Sequence, residues 1–235
     1  MKIGNNIMNM KKTYIYLSII LCVLFGYSCN DLNDFEQGTF QGKVIDAVSG
    51  EGLGDVGITL DPVVAANGSI TTRPDGSFKL SRITAGTYKI NVRVTGQSLI
   101  DNARDEITIT DGVTISKEYK LTPRVSLYDF KVEYEKSDPT KFTVKFKAKG
   151  NEGNDLNFYA IMWDKYSDFK FGDLPNDQKK AFKKNVKAGE EVEITQELTG
   201  LNLEMNTTYY IRVGVTQIKN GGDYNHSNII PIKFE

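Results

Sequence analysis

The chain has 235 residues, 40% hydrophobic and 11% aromatic, with 29 Lys and Arg against 30 Asp and Glu. A formal net charge of −1 leaves no basic footprint for nucleic acid, and one histidine excludes any metal site built on two. Two cysteines are too few for a disulfide framework, so buried apolar area must hold the fold.

Lys11 and Lys12 precede an apolar run from Tyr14 to Phe25, which ends in Gly26, Tyr27, Ser28 and Cys29. The run is shorter than the ~20 apolar residues a membrane-spanning helix needs, so residues 1–28 read as an export signal. A small residue directly before cysteine resembles a lipobox, although Gly26 and Tyr27 replace its more usual leucine and small residue. The resemblance implies cleavage before Cys29 and acylation of its thiol, giving a lipid anchor in a membrane; plain secretion with a free thiol is the alternative. Loss of Lys2, Lys11 and Lys12, with no acid, leaves 26 basic against 30 acidic side chains, a net of −4. Residues 29–37, with Asp31, Asp34 and Glu36, read as an acidic tether. In Bacteroidota lipoproteins, acids placed just after the lipidated cysteine resemble the signal for the outer face of the outer membrane; a solvated linker is the alternative.

From residue 38 to 122, Thr39–Asp46, Gly57–Asp61, Ser77–Leu80, Thr87–Thr95, Asp105–Thr110 and Val113–Leu121 alternate apolar with polar residues or are β-branched, separated by Gly, Asp, Asn or Pro. Tyr88, Ile90, Val92 and Val94 share one face, and Lys89, Asn91 and Arg93 the other, which predicts one core face and one wet face. Pro74-Asp75-Gly76 reads as a tight turn needing a positive φ at the glycine. Gly42, Val44, Asp46, Gly50, Asp75, Gly76, Phe78, Gly86 and Tyr88 together resemble the carboxypeptidase-regulatory-like module, a transthyretin-like sandwich. The resemblance implies that Phe78 and Tyr88 fill the space between two sheets. The glycine-rich EGLGDVG lacks the Lys-Ser/Thr and following helix of a phosphate loop and reads as a turn.

Thr122-Pro123-Arg124 marks a boundary, and residues 123–235 form a second unit. Val125–Tyr134, Lys141–Lys149, Leu156–Tyr166, Glu191–Leu198, Thr208–Ile218 and Ile229–Phe234 read as strands. Leu174, Gln178 and Phe182 fall at helical spacing and predict one short inserted helix over residues 175–185. Leu203, Met205, Thr207, Tyr209, Ile211, Val213 and Val215 occupy alternate positions in a pattern similar to the end of a fibronectin type III domain. That resemblance implies an immunoglobulin-like sandwich in which Tyr209 is a corner tyrosine, its hydroxyl bonded to the chain just upstream. The fold class expected is therefore all-β, two consecutive sandwiches.

The anchor, the first module, TYYIRVGV at Thr208–Val215 and the terminal DYNHSNIIPIKF resemble a two-domain Bacteroidota lipoprotein family of unknown function that accompanies starch-utilisation-like glycan uptake systems. The resemblance implies outer-membrane placement facing the exterior, with a polysaccharide and glycan-transporter components as partners. It implies a setting and no reaction, and no cofactor is expected.

The residues themselves point the same way. His226, Ser227 and Asp223 are neighbours in a turn-like GGDYNHSN and lack a nucleophile elbow, so no catalytic residue is assigned. Asp164, Asp168, Asp173 and Asp177 lack the glycine-punctuated spacing of a calcium loop, and no metal is expected. The segment LNFYAIMWDKYSDFKFGD is unusual because Leu156, Phe158, Ala160 and Met162 alternate with Tyr159, Ile161 and Trp163, leaving the strand no polar side. It must be covered on both faces, or one face must bind something. Trp163, Tyr166, Phe169 and Phe171, with Asp164 and Asp168 among them, are the side chains of a sugar site: rings stack on pyranose faces while carboxylates accept hydroxyl protons. The competing expectation is that these rings pack inside the protein. Three functions stay open: an accessory glycan-binding or docking lipoprotein, a structural or adhesive spacer without a ligand, and a glycoside hydrolase working through paired carboxylates.

Overall fold

Alternation of buried and exposed side chains builds the long strands. In Phe142–Gly150 it is unbroken, with Phe142, Val144, Phe146 and Ala148 buried between half-exposed Thr143, Lys145, Lys147 and Lys149. The computed structural model describes residues 37–63, 69–93, 99–218 and 224–235. The export signal, Cys29 and nearly all of the acidic tether, and also Val94 and Asp223, lie outside the described residues. Residues Gln37–Glu235 form one unit with two main hydrophobic cores.

The first core lies between two sheets. One has the order β4 (Ser77–Thr84), β1 (Gln37–Asp46), β7 (Thr114–Leu121), with β1 antiparallel to β4 and parallel to β7. The other has the order β3 (Ser69–Thr71), β2 (Gly57–Asp61), β5 (Gly86–Arg93), β6 (Ala103–Ile109), antiparallel throughout. Phe78 and Tyr88 are buried in this core as expected, and the Tyr88 hydroxyl donates to the Thr84 carbonyl at 2.8 Å. The Pro74–Gly76 turn is also formed. Gly76 has φ 81°, and a Cβ there would stand 2.3 Å from the Val44 carbonyl oxygen, so only glycine fits.

The second sandwich packs β12 (Glu191–Leu198), β9 (Phe142–Gly150) and β8 (Val125–Glu133) against β11 (Lys179–Val186), β10 (Leu156–Asp164) and β13 (Thr208–Thr216). The far side of β13 takes the two-residue β14 (Asn225–His226) and then β15 (Ile230–Lys233). The Tyr209 hydroxyl accepts the Glu204 backbone N–H at 3.1 Å, the upstream bond of a corner tyrosine.

One expected element is not formed, and the short β3 and β14 are not among the expected strands, β14 lying in the stretch expected to be a turn. The helix over residues 175–185 is absent; Asn176–Gln178 make a single 3-10 turn, and Lys179–Val186 is instead β11, antiparallel to β10. The local spacing of Leu174, Gln178 and Phe182 suits a helix, but such a helix would leave β10 with an unpaired edge. Pairing satisfies those backbone groups and places Phe182 on Tyr159, ring centroids 5.0 Å apart and 16° from parallel.

Candidate functional site

The two apolar faces of β10 meet different fates. Tyr159, Ile161 and Trp163 enter the second core, where Trp163 is 4% exposed and sets its edge on Phe142 at 6.1 Å. Ala160 and Met162 face the other way and are fully buried too. Their cover is the connection from β10 to β11, which folds back over the sheet. Phe169 and Leu174 pack on Met162, joined by Phe171, Tyr210 and Ile229, in a small third cluster. Phe171 also lies 4.7 Å from the Tyr224 ring, with Lys179 Nζ 4.5 Å above it.

The six residues marked from sequence therefore do not converge on one surface. Trp163 and Phe169 are buried and Phe171 is half-buried, whereas Tyr166 is 77% exposed. The Asp164 carboxylate accepts the backbone N–H groups of Lys165 and Tyr166 at 2.6 and 3.3 Å and so caps its own turn. Asp168 is exposed and faces a cleft between the two sandwiches. Phe169 and Phe171 cover β10 and Trp163 fills the second core, which ordinary burial of large apolar side chains explains.

A different set of residues meets beneath that cover. Arg212 on β13 is 1% exposed; its Nε donates to the Ser227 carbonyl and its Nη1 to the Phe169 carbonyl, both at 2.9 Å. Its Nη2 lies 3.2 Å from Oδ2 of Asp55, which belongs to the first sandwich. Lys170 Nζ stands 3.1 Å from Asp55 Oδ1, and His226 Nδ1 stands 3.3 Å from Oδ2; the buried Oδ2, Arg212 Nη2 and His226 Nδ1 are close but not aligned for hydrogen bonds. Gly54 makes room for this, since a Cβ there would stand 2.8 Å from Arg212 Nη2. Asp55 itself has φ 67°, a left-handed conformation that its tertiary contacts must sustain.

The electrostatics follow from burial and company. Burial alone would raise the Asp55 carboxyl, but His226, Arg212 and Lys170 around it outweigh that and hold it well below the usual carboxylate range. Burial pushes the His226 ring down to about 4, against the pull of Asp55, so it is neutral at pH 7. Burial also lowers Arg212, and Asp55 opposes that shift. Arg212 and Asp55 escaped the sequence reading because one sat in a strand alternation and the other in a glycine-rich turn. An arginine between Ile211 and Val213, in a strand with no other charge, was the available signal.

Two of the openings among the described residues are large enough for a ligand. The cleft at the junction has a volume of 580 Å³; the first sandwich supplies Thr71–Pro74, the second Ser167, Asp168, Lys170 and Asp173, and Asp55 lies between them. A groove of 410 Å³ lies beside Trp163 and Tyr209, rimmed by Lys165, Gln178, Lys180 and Asn202. Both fall in the range of ~300–1,000 Å³ usual for ligand sites.

No protein-family model and no curated protein sequence matches the chain. Several crystal structures share the fold. A candidate carbohydrate binding protein from Bacteroides uniformis is similar at TM-score 0.63 and 16% identity, covering 84% of this chain and 99% of that one. A DUF3823 family protein from Parabacteroides merdae gives 0.62 and 15%, over 85% and 100% of the two chains. A DUF3823 family protein from Bacteroides ovatus gives 0.57 and 23%, also over 85% and 100%. At these identities the likeness is one of fold, and it takes in both sandwiches.

Proposed function

We propose that the chain is a non-catalytic lipoprotein, held at the outer face of the outer membrane through Cys29, that binds or presents a polysaccharide for an uptake system. The observation that carries this reading is the likeness, over 84% of this chain and 99% of that one, to the Bacteroides uniformis candidate carbohydrate binding protein. The neighbouring DUF3823 proteins from Bacteroides and Parabacteroides support the bacterial setting and name no reaction. The lipobox-like Ser28-Cys29 and the acids behind it support the address.

Burial of Trp163 and Phe169 favours a second reading, a spacer lipoprotein whose aromatic residues serve only packing. A glycan array and affinity gel electrophoresis on the form lacking residues 1–29 separate the two. Retention by at least one polysaccharide supports the first reading, and no retention by any of them leaves the spacer. Intact-mass measurement of the membrane-extracted protein tests the anchor: an N-terminal diacylated Cys29 supports it, and an unmodified thiol removes it. Protease shaving of whole cells tests the outward face.

A further inference from the structure

We infer that the 580 Å³ cleft between the sandwiches is a binding site for a neutral, hydroxyl-rich sugar, an inference that rests on the glycan reading above. Its frame is rigid. Thr72 Oγ1 donates to the Leu53 carbonyl at 2.7 Å and accepts the Val56 N–H at 3.0 Å, both buried. Arg73 is held in its turn by its own N–H to the Ser77 carbonyl and by the Gly76 N–H to its carbonyl, each at 2.8 Å. Across the cleft, the Lys170 N–H donates to Asp173 Oδ2 at 3.1 Å and the Asp173 N–H to the Lys170 carbonyl at 3.0 Å. Asp55, between these walls, is fixed by Arg212 and Lys170.

Against this frame, several polar side chains lining the cleft have no hydrogen-bond or ion-pair partner within the described protein. The Arg73 guanidinium and the Thr71 and Ser167 hydroxyls make no hydrogen bond or ion pair, and the Asp168 carboxylate has only a longer-range attraction to Arg212. They offer a planar donor, two groups that both donate and accept, and an acceptor, which is the mixture that recognises ring hydroxyls. The charges select neutral ligands. Arg73 and Lys170 line the cleft against Asp55, Asp168 and Asp173, and the buried Arg212 behind Asp55 offsets the remaining negative charge, so the cleft has no positive surplus to attract an acidic sugar. Asp55 is already engaged by two cations, which excludes it as a ligand for a divalent ion.

The test uses the full chain in mild detergent, titrated by calorimetry with maltotriose, cellotriose, xylotriose and mannotriose, and with trigalacturonate as the acidic comparison. Expected is binding of at least one neutral trisaccharide, weakened tenfold or more by Arg73→Ala and by Asp168→Ala, with nearly unchanged melting temperatures because neither exposed side chain has a hydrogen bond or ion pair to lose. Asn202→Ala, in the groove beside Trp163, should bind as the wild type does. Equal binding by wild type and both cleft variants overturns the cleft while sparing the glycan reading. Preference for trigalacturonate overturns the neutral class, and binding of no sugar at all overturns both readings together.

Discussion

Arg212 donates hydrogen bonds to two carbonyl groups and sets its Nη2 3.2 Å from a carboxylate oxygen, in a position with almost no access to water. Truncating one partner of such a set strands the others, a loss of about 3–5 kcal/mol. Arg212→Met is therefore expected to lower unfolding stability by that amount in urea titration; a change below about 1 kcal/mol would show that the set contributes little. The same cluster fixes a pH dependence. His226 has a folded value of about 4, below its ordinary 6.5, so between those values the unfolded chain binds a proton that the folded chain refuses. Stability then falls as pH drops from about 6.5 to about 4, by at most about 1.4 kcal/mol per pH unit. Asp55, depressed by its partners, extends the loss to lower pH as it is protonated. Because His226 is the sole histidine, His226→Gln should flatten the slope between pH 6.5 and 5.5, as chemical denaturation at stepped pH would reveal.

At the scale of elements, strands were legible wherever period-two alternation coincided with one wet face. Gly57–Asp61 and Glu191–Leu198 have the boundaries read from sequence, and Tyr209 makes the bond its motif implies. The exception, β11, carries five polar residues in KKAFKKNV and only Phe182 and Val186 as anchors, so its state is decided by the edge of β10. The doubly apolar face of β10 was legible as a problem, but its solution was not, because the cover comes from a connection without periodicity. Trp163→Ala should accordingly cost about 3–5 kcal/mol, read as a fall in melting temperature; lost glycan retention with unaltered melting would contradict its role as core. Among the described residues β11 pairs only with β10, and Lys180, Lys183 and Lys184 along it make no ion pair. Lysines on an open edge oppose pairing with another chain. Replacing all three with valine should produce dimers or larger species in sedimentation velocity, where the wild type stays as it was.

In the whole molecule, the connection between sandwiches is tied on both sides. The Ile100 N–H donates to the Thr122 carbonyl at 2.8 Å, and Asn151 Nδ2 to the Pro123 carbonyl at 2.8 Å, while Asp55 reaches across to Arg212 and Lys170. Such coupling predicts one calorimetric unfolding transition, with van't Hoff and calorimetric enthalpies in agreement. Asp55→Ala should divide it into two. One composite transition in that variant would mean that the linker alone joins the halves. None of this coupling was visible in the sequence, since its members lie at positions 55, 170, 212 and 226 and meet only through the fold.

The arrangement of β1 has a mechanical consequence. It opens the described chain yet lies in the middle of its sheet, laddered to β4 on one side and, running the same way, to β7 on the other. A pull at Gln37 along the strand loads both ladders in shear, so many hydrogen bonds must yield together instead of opening one by one from an edge. A protein leashed at that end would resist flow through the grip of its first strand, and trimming the chain past Gln37 would remove the very rod on which the first sandwich is threaded.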